Sequence, residues 1–127
     1  MYGFTKNIDI SYEDAVPRVV EALKNEGFGV LTEIDVKATM KKKLDVDFRK
    51  YIILGACNPP LAHQALTEEV NIGLLLPCNV IVYENDAGST TVCVIDAGKM
   101  LSVVGRDELQ PFAEQVNSKL KSVLEAI

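Results

Sequence analysis

The segment from Leu54 to Cys78 constrains the fold of this 127-residue chain more than any other stretch. An apolar run, Tyr51–Leu54, leads into it, and a second apolar run, Asn79–Tyr83, follows it; both patterns are typical of strands. The segment is therefore an elaborated connection between two consecutive strands, which are usually neighbours in a sheet. If these strands are antiparallel, the end of the first and the start of the second lie at the same end of the sheet. We therefore expect Cys57 to lie near Cys78.

The remainder of the chain alternates between strand patterns and helix patterns. The predicted strands are Tyr2–Ile10, Phe28–Ile34, Lys50–Ala56, Cys78–Glu84 and Thr90–Asp96. The predicted helices run from a cap at Ser11 to Gly27, over Asp35–Leu44, onward from a cap at Asn58, and onward from a cap at Asp107, while Gly98-Lys99 predicts a turn. This order predicts an α+β fold, β-α-β4-α, in which helices pack on one face of an antiparallel sheet and extra short helices lie between strands. The length predicts a single domain over residues 1–127.

The turn Asn85–Ser89 fixes the register of the hairpin formed by the last two strands. It sets Ile81 opposite Cys93, and it puts Cys78 and Cys93 on opposite faces of the sheet. Both faces of this hairpin are apolar, and we expect Cys93 to belong to the core. One helix layer covers only one face, so the second face needs cover from the central segment, a ligand or a partner chain. A homodimer is the preferred hypothesis, because an exposed apolar face favours association.

The charge and composition exclude several classes of protein. The net charge of −5 argues against a nucleic-acid partner, which needs a basic surface. The longest uncharged apolar run, Ile72–Tyr83, is too short to cross a bilayer, so no membrane partner is expected. The N-terminus lacks the pattern of a secretory signal, and three cysteines do not form a disulfide framework. These observations predict a cytoplasmic protein with reduced thiols.

Cys57 and Cys78 are the candidate chemical residues. Cys57 directly precedes Asn58, a good helix N-cap, and Pro59 suits the first helical position. A thiol at a helix N-terminus favours the thiolate form. With Cys78 in reach, the pair could cycle through a disulfide, carry a persulfide or bind a soft metal. The alternative is that both cysteines pack as small apolar side chains.

His63, the only histidine, follows Cys57 by six residues, which is not a standard zinc spacing. Its polar neighbours favour a surface position, so we expect no metal site and no resident cofactor. The predicted buried face of this helix is Leu61, Ala62, Ala65, Leu66 and Val70. The candidate binding residues are Asn58, Pro59, His63 and Pro77.

The motifs Cys57-Asn58-Pro59 and Leu76-Pro77-Cys78-Asn79-Val80 resemble the family named Domain of Unknown Function 302. Three further segments are similar to that family: Glu26–Ile34, Lys43–Phe48 and Tyr51–Ala56. The resemblance covers roughly Phe4 to Asp96 and implies a small, soluble prokaryotic protein with a TATA-binding-protein-like fold, β-α-β4-α. It implies no activity, since the family has none established. It makes Cys57, Asn58, Pro59, Pro77 and Cys78 the positions of interest and leaves His63 outside the motif.

Two functional hypotheses follow. In the first, the chain is a thiol-based module that handles sulfur, redox equivalents or a soft metal. In the second, it is a non-catalytic ligand-binding or homodimeric assembly module in which the cysteines are structural. An enzymatic role stays open but is not favoured, and no residue pattern names a substrate.

Overall fold

A computed structural model describes every residue, Met1–Ile127, and contains one five-stranded antiparallel sheet. The strands are β1 Gly3–Ile8, β2 Gly29–Asp35, β3 Tyr51–Cys57, β4 Cys78–Glu84 and β5 Thr90–Ile95. Their spatial order is β1-β5-β4-β3-β2, so β3, β4 and β5 are flanked on both sides. The five predicted strands are all present, and the predicted α+β class with an antiparallel sheet is confirmed.

Helices occupy three of the four connections between strands and also follow the last strand. They are α1 Tyr12–Asn25, α2 Val36–Leu44, α3 Pro59–Glu68, α4 Ala97–Ser102 and α5 Gln110–Glu125, with 3₁₀ helices at Val70–Leu75 and Asp107–Leu109. The predicted caps of α1 and α3 are confirmed. Ser11 Oγ accepts a hydrogen bond from the Asp14 N–H, and Asn58 Oδ1 accepts one from the Leu61 N–H at 3.4 Å. These bonds satisfy N–H groups that have no partner inside the helix.

Two predictions about the C-terminal third are wrong. The predicted turn at Gly98-Lys99 lies in α4, because Asp96 Oδ1 accepts hydrogen bonds from both of their N–H groups and caps the helix. Asp107 does not cap the last helix. It lies in a 3₁₀ helix, and α5 starts at Gln110 without a side-chain cap.

The helices form a layer on one face of the sheet. α1 and α5 contact the sheet, and α3 packs against α5. Beneath this layer lie four fully buried valines of β4 and β5: Val80, Val82, Val92 and Val94. Burial of these side chains is the main driving force for forming the sheet-helix interface.

The opposite face, here called the open face, carries Ile53, Ile81, Cys93 and Ile95, all of which are half-buried. Ile81 pairs with Cys93 as predicted, and Cys78 lies on the other face. The expectation that Cys93 belongs to the core is wrong. The period of two along β5 directs its side chain to the face opposite that of the buried valines.

Candidate functional site

A cavity of about 320 Å³ lies between the start of β2, the end of β3, α3 and α5. Eleven of its fifteen lining residues are hydrophobic, and none is charged. Side chains at opposite ends of the cavity differ in exposure. Ala56, Phe112 and Val116 are buried and form its floor, whereas Leu31 and Leu66 are 68% and 37% exposed and form its mouth. The cavity is therefore an apolar recess that is open to solvent at one end.

The start of α3 forms one wall of the cavity. Leu61 and Ala65 are buried as predicted, but Leu66 is at the mouth and Val70 is 76% exposed. The prediction for Val70 is wrong because α3 ends at Glu68. Helical spacing no longer decides the direction of a side chain beyond that point.

Cys57 and Cys78 both line the cavity, and all three cysteines of the chain are free thiols. Ala56 pairs with Cys78 across β3 and β4, so Cys57 is one residue beyond this pair. Strand alternation directs Cys57 and Cys78 toward opposite faces of the sheet. The cavity lies at the end of the sheet and reaches both of them.

The two thiols differ in their surroundings. Cys78 is only 5% exposed, whereas Cys57 is half-buried. Burial, and to a smaller extent the nearby Cys57, raises the pKa of the Cys78 thiol to about 11. Cys78 is therefore protonated at neutral pH, and it packs as a small apolar group.

Asn58 ties the start of α3 to the end of α1. Its Oδ1 caps α3, and its Nδ2 donates to the carbonyl oxygen of Glu26 at 3.5 Å. A Cβ atom on Gly27 would lie 3.1 Å from Asn58 Nδ2, and Gly27 has a φ of +84°. Only glycine adopts this backbone geometry at low cost and also allows such a close approach.

Pro77 lines the cavity where the chain enters β4, and it packs across β3. A Cβ atom on Gly55 would lie 2.7 Å from Pro77 Cγ and would overlap Thr32 Oγ1. Gly55 therefore allows Pro77 and Thr32 to meet at this end of the sheet. The sequence places this glycine in a predicted strand, but it does not reveal the close approach, because Thr32 and Pro77 are distant from Gly55 in sequence.

Two of the predicted binding residues lie apart from the cavity. Pro59 and His63 are exposed and are absent from its wall. The structure contains no group of three or more histidine, cysteine or acidic residues that could hold a metal ion.

Sequence reasoning missed the walls contributed by β2 and α5. Phe28, Leu31, Phe112 and Val116 line the cavity from positions far along the chain from Cys57. Their apolar character is the only local signal, and core residues share it.

None of the helices has the length and apolar character that a membrane span requires.

The comparisons with known proteins agree with this architecture. The family model described as "Domain of unknown function DUF302" matches residues 4–127. The crystal structure of an uncharacterized conserved DUF302 protein from Bacillus stearothermophilus superposes with a TM-score of 0.92 at 28% sequence identity, covering 99% of this chain and 98% of that one. No curated protein matches the chain. The match extends the resemblance to the C-terminal helix, and the chain belongs to the Domain of Unknown Function 302 family.

Proposed function

We propose that this protein is a non-catalytic binding module for a small, uncharged, apolar molecule held in the cavity. The observation that carries this proposal is the charge-free apolar wall around a recess of about 320 Å³. Small-molecule sites are typically concave, largely apolar and about 300–1,000 Å³ in volume. The volume at the lower end of this range favours a ligand smaller than a typical nucleotide cofactor.

The wall also selects against charged ligands. A charge buried in an apolar recess needs a partner of opposite sign, and none of the lining side chains supplies one. The three side-chain types with polar atoms are threonine, asparagine and cysteine, at Thr32, Asn58, Cys57 and Cys78. They can orient a neutral ligand but cannot balance an ion.

The thiol hypothesis receives less support in its two-cysteine form. Disulfide exchange uses a thiolate, and the raised pKa of the Cys78 thiol disfavours that form. In our proposal Cys57 and Cys78 serve as wall residues. We further propose a cytoplasmic location, where free cysteines stay reduced, and a single domain built on one core of 25 residues.

Binding of N-phenyl-1-naphthylamine, a neutral apolar fluorophore, tests the proposal. We expect a blue-shifted and saturable increase in emission with the wild-type protein. Ala62→Phe places a ring at the half-buried α3 wall, so we expect it to weaken probe binding about tenfold or more. Circular dichroism and urea unfolding would show that this variant keeps its fold.

Ala38→Phe is the matched control, since it adds the same ring to an exposed position of α2 away from the cavity. It should bind the probe as the wild type does. If the wild type does not bind, or if a folded Ala62→Phe variant binds with unchanged affinity, the proposal is wrong.

A second candidate function, homodimeric assembly, rests on the open face. No strand residue that points to this face is charged, although 24% of the chain is. The face is not free of charge at its rim, where the Arg49 guanidinium lies over the Tyr83 ring. Its centre, formed by Ile53, Ile81, Cys93 and Ile95, is apolar, and an exposed apolar patch favours a partner. Two copies with net charge −5 each repel least when they meet through this uncharged centre.

Sedimentation equilibrium tests the dimer. We expect wild-type protein to associate and Ile81→Lys, at the centre of the open face, to remain monomeric because it buries an unpaired charge. Ala87→Lys adds the same charge in the exposed β4–β5 turn and should leave association unchanged. Monomeric wild-type protein at about 100 µM, well above the Kd of a specific dimer, would rule out this assembly.

A further inference from the structure

Cys57 differs from the other two thiols in being both accessible and part of the cavity wall. It is half-buried and lines the cavity, whereas Cys78 lines it at only 5% exposure. Cys93 is half-buried on the open face, outside the cavity, and its sulfur accepts a hydrogen bond from Thr5 Oγ1 at 3.4 Å. Cys57 is therefore the one thiol that a molecule held in the cavity meets at a position open to solvent.

The local structure leaves space beside Cys57. This residue is the last of β3, and Asn58 caps α3 directly after it. Its cross-strand neighbour on β2 is Gly29, where an added Cβ atom would meet no atom within 4 Å. No side chain therefore covers Cys57 from the paired position of the edge strand.

A second thiol, Cys78, lines the same cavity. Its side chain is more than nine-tenths buried and forms no hydrogen bond within the chain. Cys57 contributes to the raised pKa of Cys78, so the two thiols lie within electrostatic reach of each other. Sulfur is a soft, polarisable atom. Two such atoms in a wall without charge favour a neutral, soft ligand over an ion.

Two polar side chains of the cavity wall offer hydrogen bonds to a ligand oxygen. The Thr32 hydroxyl has no partner within the chain, and the Asn58 amide uses one of its two N–H groups on the Glu26 carbonyl oxygen. A carbonyl group accepts such bonds without carrying a charge. The wall thus combines donors that suit a carbonyl oxygen with a sulfur nucleophile that suits a soft electrophilic carbon.

We propose that the ligand is an apolar α,β-unsaturated ketone or aldehyde, which the cavity binds and then captures as a covalent adduct on Cys57. The Cys57 thiol first loses its proton to water. Its sulfur then forms a bond to the β-carbon, while the π electrons of the carbon–carbon double bond shift toward the carbonyl oxygen and give an enolate. The α-carbon takes up a proton from water, which restores the carbonyl group, and no oxidant or reductant is consumed.

This inference rests on the proposed function and adds the chemical class of the ligand. The cavity supplies two effects. It holds the electrophilic carbon beside the sulfur of Cys57, which raises the effective concentration of the ligand, and a hydrogen bond from Thr32 or Asn58 stabilises the enolate oxygen. The capture is stoichiometric rather than catalytic, because the thioether retains Cys57.

Two vinyl ketones with the same reactive group test the inference. 1-Octen-3-one carries a pentyl chain and methyl vinyl ketone a methyl group, so the pair differs only in apolar size. Peptide mass spectrometry measures the rate of adduct formation at each cysteine, at low protein concentration where any dimer dissociates. We expect the ratio of the Cys57 rate to the Cys93 rate to be about tenfold higher for 1-octen-3-one, because its longer chain is buried in the cavity.

Ala62→Phe fills part of the cavity and leaves Cys57 in place, so it should lower the ratio for 1-octen-3-one to about that for methyl vinyl ketone. Ala38→Phe, the exposed control on α2, should keep the wild-type ratio. N-phenyl-1-naphthylamine at ten times its Kd should slow the reaction of 1-octen-3-one at Cys57 about tenfold and leave Cys93 unchanged. This last measurement uses the wild-type protein and does not depend on the folding of a variant.

The outcomes separate this inference from the function on which it rests. If the probe binds but 1-octen-3-one prefers Cys57 no more than methyl vinyl ketone does, covalent capture is wrong and the apolar-ligand function stands. Adducts of 1-octen-3-one found mainly on Cys78 or Cys93 would also overturn the assignment to Cys57. If the wild-type protein neither binds the probe nor shows the preference for the longer ketone, both proposals fail.

Discussion

The two faces of the sheet have similar apolar side chains, but only one of them is packed under helices. Val80 and Val82 of β4 are fully buried, whereas Ile81, between them in sequence, is half-buried on the open face. The difference lies in what each face meets. Helices α1 and α5 carry apolar stripes that pack on the valine face, while the open face has no such partner within the chain. The apolar side chains of the valine face therefore stabilise the fold, whereas those of the open face are available for contact with another chain.

Neighbouring alanine substitutions in β3 give the largest expected contrast between the two faces. Leu54 is fully buried beneath the helices, so Leu54→Ala should lower the free energy of unfolding by about 3 kcal/mol. Ile53 lies next to it on the open face and is half-buried, so Ile53→Ala should lower it by about 1 kcal/mol. Urea unfolding at low protein concentration, where any dimer dissociates, measures both values.

Equal losses for the two variants would break this comparison, because they would mean that the open face is packed as tightly as the helix face. A decrease in the free energy of unfolding of Ile53→Ala that grows with protein concentration would instead sharpen the contrast between the two faces. Such a result would show that the open face is stabilised by association between chains.

The pH dependence of stability tests the burial of Cys78 on the helix face. The pKa of its thiol is raised to about 11, mainly by burial. Below the unfolded-chain pKa of about 8.5, both states are protonated and the full stability is present. As the pH rises from there toward 11, the unfolded chain loses its proton first, so the free energy of unfolding should fall by about 3 kcal/mol.

Cys78→Ala is the control for this prediction. Burial also raises the pKa values of Tyr12 and Tyr51, so part of the decrease at high pH comes from other groups. The decrease between pH 8 and pH 11 should be smaller in Cys78→Ala than in the wild type. Identical decreases would mean that Cys78 is more accessible to water than the structure indicates.

The smallest expected effect is on the alkylation rates of the three cysteines. Cys57 reports on the proposed ligand cavity, and Cys93 reports on the open face. With N-ethylmaleimide and mass spectrometry, Cys57 and Cys93 should react in the native protein, and Cys78 should react only after unfolding. The apolar fluorophore at ten times its Kd should slow Cys57 about tenfold, since it occupies the cavity. It should leave Cys93 unchanged, because Cys93 lies on the open face.

Protection of Cys93 by the fluorophore would place a second binding site on the open face. Conversely, faster reaction of Cys93 on dilution would support association through that face. Neither change is expected at Cys57 if the cavity and the open face act independently.

Local patterns in the sequence predicted all five strands and the register of the β4–β5 hairpin. The alternation of side chains and the turn Asn85–Ser89 were sufficient to set Ile81 opposite Cys93. The capping residues Ser11 and Asn58 were also recognisable, because a cap depends on atoms only three residues away. Asp96 also caps a helix, α4, but there the pair Gly98-Lys99 favoured the prediction of a turn.

The candidate site was predicted in part. The shared position of Cys57, Asn58, Pro77 and Cys78 followed from the antiparallel pairing of two consecutive strands, and all four line the cavity. The size, apolar wall and open end of the cavity did not follow. They depend on β2 and α5, and no spacing within the sequence shows that these elements lie beside the thiols.

The sequence by itself determined the order of the five strands and of the helices other than α4, the two apolar faces of the sheet, and the concentration of the motif residues at one end of it. These properties depend on interactions within a few residues or between consecutive strands. Only the tertiary structure decided which face the helices cover, that Cys78 is buried with a raised pKa, and that a cavity lies beside the motif. Those properties depend on the packing of segments far apart in the chain, where the shape left between side chains, rather than their type, decides the result.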